Sequence, residues 1–440
     1  MFTSIKASTL TQRFDVRYHL SDKNTDNDSW TLGELKDLIV RDPNCYGFKY
    51  ARIGLPIIRI SDMRQPFIDF SRTVLISENV HQKFHKTHLK PYDILISVRG
   101  MSTGKVSIFL GEFDRVNISP NIIIVRLKDA ELSPYVAMVL ISHVGQNQIK
   151  RFFSGGGKPS LTAPMVNAIK IPKPSEDKLK QINLLFKEAK ERRTEGKNLL
   201  REISQIFERE FTGLNIDKSI CSVRNVSDLC DRWDSHYHND GFVNLRGYLK
   251  KYKGEKKLIS HYGIEIDEPA KNFDKKEKVQ YIEIGSINNL TGIIDSTTIN
   301  YPELLPKSAK VEVSDGDILI SKVRPYLNSN AIVVKSSTTF RTVASKNAFT
   351  IFNTEKHHFR YYLVAFLRNK FGLSQIEMYQ SGTSYPTVSD DDVNKIFILE
   401  IEETSMEQIN ELYKKYVEIK IIEEFTTNTI LEMLQDDEEI

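Results

Sequence analysis

The sequence predicts an α+β protein built as two tandem copies of one unit, each closed by a long helix. Three observations carry this. First, Ser154–Asn183, SGGGKPSLTAPMVNAIKIPKPSEDKLKQIN, returns without a gap as Ser381–Asn410, SGTSYPTVSDDDVNKIFILEIEETSMEQIN, at an offset of 227. Carried back at the same offset, Tyr135 falls on Tyr362, Leu140 on Leu367, Gly145 on Gly372 and Gln148 on Gln375, giving 16 identities in 49 positions from 135 to 183. Chance would give roughly one in sixteen, so the chain is a duplication. Second, short β-branched runs bounded by turns fill each copy. Third, each copy ends in a charged stretch with apolar residues at helical spacing.

The duplication begins near the N-terminus. Arg13–His19, RFDVRYH, echoes Arg232–His238, RWDSHYH, at offset 219, and Asp93–Ser97 and Asp317–Ser321 both read DILIS at offset 224. Drift from 219 to 224 to 227 is what insertions in loops between shared elements produce. Leu55–Met63, Val74–Ile76, Ile94–Val98, Val106–Leu110 and Ile122–Leu127 read as strands or strand–turns of the first copy. Gln280–Asn289, Val311–Val313, Ile318–Ile320, Ala331–Val334 and Ala348–Ile351 do so in the second. A helix over about Pro134–Phe153 and another over Phe359–Tyr379 end before Ser-Gly. One more strand follows in each copy, Ala168–Pro172 and Lys395–Glu400.

The closing helices run over about Glu176–Phe211 and Thr404–Leu434. Ile182, Leu185, Ala189, Gly196, Leu199, Ile203 and Ile206 stripe the first, interrupted by Arg192. Ile409, Leu412, Tyr416, Ile419, Ile430 and Met433 stripe the second, with Glu423 and Thr426 as a weak middle. Such a stripe is a packing face, and over about five heptads it can be a coiled-coil seam. The two helices can pair with each other; antiparallel pairing would relate the units by a pseudo-twofold axis. Phe186, Leu200, Phe207, Tyr413 and Leu434 flank the stripes, and are expected to leave apolar surface for a partner protein.

At 440 residues, with 40% hydrophobic and 27% charged side chains, two soluble globular domains are the default. The three cysteines, Cys45, Cys221 and Cys230, form no CxxC pair, which argues for a reducing compartment and against a zinc or disulfide framework. No signal-peptide core or membrane-length apolar run is evident, so the reading is a cytoplasmic protein without a membrane partner. The net charge of +3 is unevenly spread: residues 1–170 hold 23 basic and 15 acidic side chains, whereas residues 401–440 hold 3 and 12. A basic first half suits a polyanion, and an acidic last helix suits solvent or a protein partner.

Catalytic and metal motifs are not found. Gly155–Ser160, GGGKPS, lacks the P-loop's first glycine, where Phe152 stands, and has Pro159 after the lysine. It reads as a shaped turn, with Pro159 and Pro386 fixing the exit. His81, His85 and His88 could form a metal face, but they lie among lysines and have no counterpart in the second copy. Asp93 and Asp317 each open the same strand, which reads as a strand-end role. No hydrolase or metalloprotease motif, nuclease carboxylate pair or target-base clamp of an amino-methyltransferase is present. The chain reads as non-catalytic, with no cofactor and no metal.

Strands, a DIL element, a helix, SG-x-x-x-P-[ST]-[LV], a short strand and Gln-Ile opening a long helix, all given twice, resemble the DNA specificity (S) subunits of type I restriction–modification systems. The likeness covers nearly the whole chain. The first copy departs from it at Tyr92, where the pattern has the glycine that Gly316 supplies before Asp317. The resemblance implies two target-recognition domains, 1–175 and 214–402, and two spacer helices, 176–213 and 403–440, that pair as an antiparallel coiled coil. It implies a split, asymmetric site on double-stranded DNA and docking of two methyltransferase (modification) subunits, which a restriction subunit can join. The packing residues would be Ile182, Leu185, Leu199, Ile203, Ile409, Leu412, Ile419 and Ile430. Arg99, Lys105 and Lys158 in the first copy, and Lys322, Arg324, Asn347 and Tyr385 in the second, are the candidate DNA contacts. Arginine suits guanine and asparagine suits adenine. Two alternatives stand beside this reading: the same targeting role in another methyltransferase-linked phage-defence system, and a protein scaffold that binds no DNA.

Overall fold

Both DILIS runs become inner strands of a four-stranded sheet. In this computed structural model, the structure describes residues 28–153, 159–217, 223–229, 232–268, 270, 273, 277–295, 297–308, 311–334, 340–354 and 357–435. The chain divides into two units. The first runs to Lys190 and takes in the stretch from Phe425; the second is Glu191–Glu424.

In the first unit Ile94–Ser97 pairs antiparallel with Ile122–Leu127 and with Val106–Ile108, and Ile122–Leu127 pairs outward with Lys36–Val40. In the second, Ile318–Ser321 stands between Phe349–Asn353 and Ala331–Ile332, with Ile264–Glu265 outermost. The strand order is the same in both. Side-chain alternation divides each inner strand between two cores. Ile94 and Ile96 face helices; Leu95 joins Ile58 and Ile118 from a second sheet. Ile318 and Ile320 likewise face helices, and Leu319 faces Ile282 and Ala344. A sheet covered on both faces reads as an unbroken apolar run, which is what Ile-Leu-Ile is. The second sheets also correspond. Leu55–Ile58 pairs parallel with Asn117–Ile118 and antiparallel with Val74–Ile76; Val279–Ile282 pairs parallel with Arg341–Ala344 and antiparallel with Thr298–Asn300.

The identities in the duplicated stretch have structural causes. Gln148 lies against Lys170 as a strand would, donating to its carbonyl at 2.9 Å and accepting from its amide at 2.8 Å. Gln375 does the same to Phe397, at 2.8 and 3.0 Å. The Tyr135 and Tyr362 hydroxyls donate to the Pro172 and Leu399 carbonyls, tying helix to strand. Asp93 and Asp317 are buried, and each accepts a 2.7 Å bond from a backbone amide three residues back, Lys90 or Ser314, closing the turn into its strand. That turn needs a left-handed residue: Gly316 has φ 87° and Tyr92 has φ 68°, so the tyrosine keeps the conformation its glycine counterpart adopts freely.

The helix expected over Pro134–Phe153 is two helices, Ser133–Ile141 and His143–Arg151, and that over Phe359–Tyr379 is Arg360–Arg368 and Lys370–Met378. The chain turns extended at Ser142 and Asn369, which open the second helices. The Asn369 side chain accepts from Phe371 N at 3.3 Å, a polar N-cap inside an otherwise continuous apolar pattern.

The long helices span Glu176–Glu210 and Glu403–Met433, within a residue of expectation at each end. In the first unit Ile182, Phe186 and Ala189 share a core with Ile430 and Leu434; Leu185 is half-buried against it. In the second, Leu199, Ile203, Ile206 and Phe207 meet Ile409, Tyr413, Tyr416 and Ile419, with Leu412 half-buried. Ser405 Oγ donates to Glu210 at 3.0 Å, while Arg193 lies 3.6 Å from Glu423. Within this unit, then, the start of one helix meets the end of the other, and the pair is antiparallel. The flanking residues expected to face a partner are instead inside: Phe186, Phe207, Tyr413 and Leu434 are buried in their own units, and Leu200 is half-buried. The globular cores cover the stripes' edges as well as their centres, at about 1.5–3 kcal/mol for each large apolar side chain enclosed.

The weak middle of the second helix holds a charge cluster. Glu423 is buried, with Lys420 and Arg193 beside it. Glu424, half-buried next to it, is pushed up to about 7 by burial and by Asp295. A carboxyl raised in the folded state is protonated in both states below its unfolded value near 4.5, so it costs nothing there. The cost grows as pH rises from there to about 7 and is complete above that. Glu424→Gln is therefore expected to stabilise the protein by about 1 kcal/mol at pH 8, after allowance for solvent screening, and not at pH 4.5. Urea titrations at the two pH values read the difference.

Candidate nucleic-acid interface

Each unit sets the loop that follows its DILIS strand against the segment that opens at Pro159 or Pro386. In the first, Gly100 N donates to Pro159 O at 3.3 Å and Leu161 N to Val98 O at 3.0 Å, with Arg99 bridged to Ser160. In the second, Arg324 N donates to Pro386 O at 2.8 Å and Val388 N to Lys322 O at 2.9 Å, with Val323 bridged to Thr387. Gly100 and Arg324 thus hold equivalent places, and both have positive φ, 86° and 45°. The scaffold is one design made twice; the side chains on it differ.

Arg99 is exposed at the head of the first loop. The loop is tied down from within: Gly104 N donates to Ser97 O at 2.9 Å, and Thr103 Oγ1 reaches Gly100 O at 2.6 Å and Pro159 O at 3.1 Å. Lys105 ends it, half-buried, its ammonium pushed down by burial and by Arg64. Arg41 is likewise pushed down, by burial and by Arg99. Arg41 and Arg64 were not legible as site residues. They come from strands outside the duplicated stretch, and only sheet register brings them here. Lys158, and Ser154–Gly157 before it, lie outside the described residues.

In the second unit, Arg324 is exposed with its guanidinium 5.2 Å from the ring centre of Tyr385, itself 55% exposed. Two residues 61 apart in sequence become one cation–aromatic pair. Tyr326 is exposed on the same loop. Asn347 is exposed in the adjoining turn, where Ala348 O accepts from Lys322 N at 2.8 Å. Lys322 is differently placed from expectation. It is 9% exposed, and its ammonium bonds both Asp390 oxygens at 2.8 Å, while Thr350 Oγ1 donates to the same carboxylate at 2.6 Å. It joins the strand end to the turn after the Ser-Gly-Pro element. Arg368, which the sequence did not single out, donates to the carbonyls of Asn328, Asn330, Asn289 and Leu290 at 2.7–3.2 Å, locking two loops together.

The three histidines do not converge as a metal face. His81 Nδ1 bonds the Asn117 side chain, His88 Nε2 bonds His81 O at 2.9 Å, and the His81 and His88 rings stack. Among the described residues no three His, Cys, Asp or Glu side chains are grouped to hold a metal. No described helix is long and apolar enough to cross a membrane.

No family model matches the chain, and no curated protein does. Solved structures do. The chain is similar to type I restriction–modification S subunits. The S subunit from M. genitalium matches at 12% identity and a TM-score of 0.35 over 95% of each chain. The HsdS subunit from Thermoanaerobacter tengcongensis matches at 11% and 0.30, over 93% of this chain and 95% of that one. A structure describing complex assembly and conformational transition of a type I system matches at 12% and 0.29 over the same shares.

Proposed function

We propose that the chain is the DNA specificity subunit of a type I restriction–modification complex and catalyses nothing itself. Each unit reads one half of a split, asymmetric duplex site through its post-strand loop and Ser-Gly-Pro turn. The helix pair docks two methyltransferase subunits, which a restriction subunit can join. On this reading residues 1–175 and 214–402 are the recognition domains, and 176–213 and 403–440 the spacer helices. One observation carries the proposal. The same loop pair is built twice by the same backbone hydrogen bonds, with Gly100 replaced by Arg324 and Arg99 by Val323. A retained frame with changed side chains is what two different half-sites require.

Co-expression with the methyltransferase of the same host, followed by methylation mapping, tests it. The expected result is a two-part motif with a fixed unread gap. A single continuous motif, or no methylation dependent on this chain, overturns it. A targeting role in another phage-defence system would give the same motif without a restriction subunit. A pure scaffold would show no salt-dependent duplex binding. Within this frame Lys322 and Arg368 position the loops, while Arg324, Tyr385 and Asn347 face the DNA. Arg324→Ala is expected to weaken specific binding by about 1–3 kcal/mol and to relax discrimination at one position, without unfolding the chain. Competition binding against the mapped motif and its single-base variants measures both.

A further inference from the structure

The two loop pairs differ in how their cations are partnered. In the second unit Arg324 lies over Tyr385, and other cations of the unit are matched. Lys322 pairs with Asp390, Lys346 with Asp267 and Arg341 with Glu312, and Arg368 is spent on carbonyls. In the first unit four cations gather with no ion pair among the described residues. Sheet register puts them together. Val40 pairs with Ile124 and Ile124 with Leu95, so Lys36–Val40 and Ile94–Ser97 run the same way, and Arg41 and Arg99 leave the sheet at one end. Ile96 pairs with Val106, which sets Lys105 at that end too. Arg64 comes from the Met63–Ile68 hairpin, whose Pro66 carbonyl accepts from Ile108 N at 2.8 Å. Its Nε is buried without a hydrogen-bond partner.

Four clustered cations, three of them half-buried, repel one another and forgo part of their hydration. An anion relieves both costs. The charge totals agree: residues 1–175 carry 24 basic and 15 acidic side chains, whereas residues 214–402 carry 25 and 24. Resting on the DNA reading above, we infer that the first unit supplies the phosphate grip of the complex through Arg41, Arg64, Arg99 and Lys105. The second unit discriminates sequence with little grip of its own. Affinity and its salt dependence therefore reside in one half of the chain, although the two halves share a fold.

The test is a salt titration of the full-length chain on a random-sequence duplex, from 50 to 200 mM. Each phosphate contact contributes about 0.9 to the slope of log affinity against log salt. The double variant Arg99→Gln/Lys105→Gln is expected to lower that slope by about 1.8, so that its affinity falls about 12-fold less than wild type across the range. Arg99→Gln alone, at an exposed position, should lower it by about 0.9 and covers the case in which the double variant misfolds. Lys346→Gln/Arg341→Gln, in the second unit, should leave the slope unchanged. A wild-type slope in the Arg99 variants overturns the inference, as does an equal loss in the second-unit pair. A wild-type chain that binds no duplex at any salt overturns the DNA reading itself.

Discussion

Gly372→Val is expected to cost about 3 kcal/mol of folding stability. Gly372 stands early in Lys370–Met378, just after the elbow that separates it from Arg360–Arg368. A β-carbon there would lie 2.3 Å from the Phe366 carbonyl oxygen and 2.8 Å from Leu367 Cα. Both are backbone atoms, and the Phe366 carbonyl already accepts from Asn369 N at 3.1 Å within the elbow. Relief requires the two helices to part, and between them they carry Tyr362, Phe366 and Phe371 into the core with Phe207 and Phe211. Gly145 is the same device in the first unit, with a β-carbon 2.3 Å from Val139 O, and Gly145→Val should cost a similar amount. Gly247 is the control. It lies within the helix Asp240–Lys251, and nothing stands within 4 Å of a β-carbon there, so Gly247→Ala should stabilise by about 0.5–1 kcal/mol. Urea denaturation of the three variants decides it: equal midpoints for Gly372→Val and wild type would mean that the elbow is not close-packed.

That glycine shows how far the sequence could be read. Its identity with Gly145 marked a shared constraint, but not that the constraint was a helix elbow. The apolar pattern runs straight through Ser142, and a polar residue inside a helix and one between two helices look alike in sequence. The DILIS strands and their direct neighbours, the duplication and the ends of the long helices were legible because periodicity and local turn chemistry determine them; the outer strands Lys36–Val40 and Ile264–Glu265, short and partly exposed, were not. Which residues cover the helix stripes was not, since a stripe states that a face is apolar and not what lies on it. Phe186 and Tyr413 accordingly turned out to be enclosed by their own units. Of the candidate contacts, Arg99, Arg324, Tyr385 and Asn347, proposed from turns beside shared motifs, are exposed on those loops and turns. Lys322 came from the same logic and is buried against Asp390, a partner 68 residues away that its place in a turn does not reveal. Arg41 and Arg64 reach the cluster through strand register, which residue spacing does not reveal.

Lengthening both long helices by four residues is expected to widen the unread gap of the DNA site by one or two base pairs while both half-site sequences survive. Four residues add about 6 Å of helix and about 40° of rotation, against about 3.4 Å per base pair. The structure fixes where the insertions belong. In the second unit Arg193 meets Glu423, Gly196 meets Tyr416 and Lys420, and Glu210 meets Ser405. The chain passes between its two units after Lys190 and again after Glu424. One insertion therefore follows Lys190 and its match follows Glu424, so that the pair stays in register. Placing the second after Lys420 would part that lysine from Glu423, its buried partner, and would lose stability for reasons unrelated to spacing. Methylation mapping with the lengthened chain and its methyltransferase reads the outcome. A widened gap with the same half-sites fits helices that set the spacing. An unchanged gap in a chain that still methylates means that something other than these helices sets it. Changed half-sites would mean that the insertion had disturbed the loops rather than the distance between them.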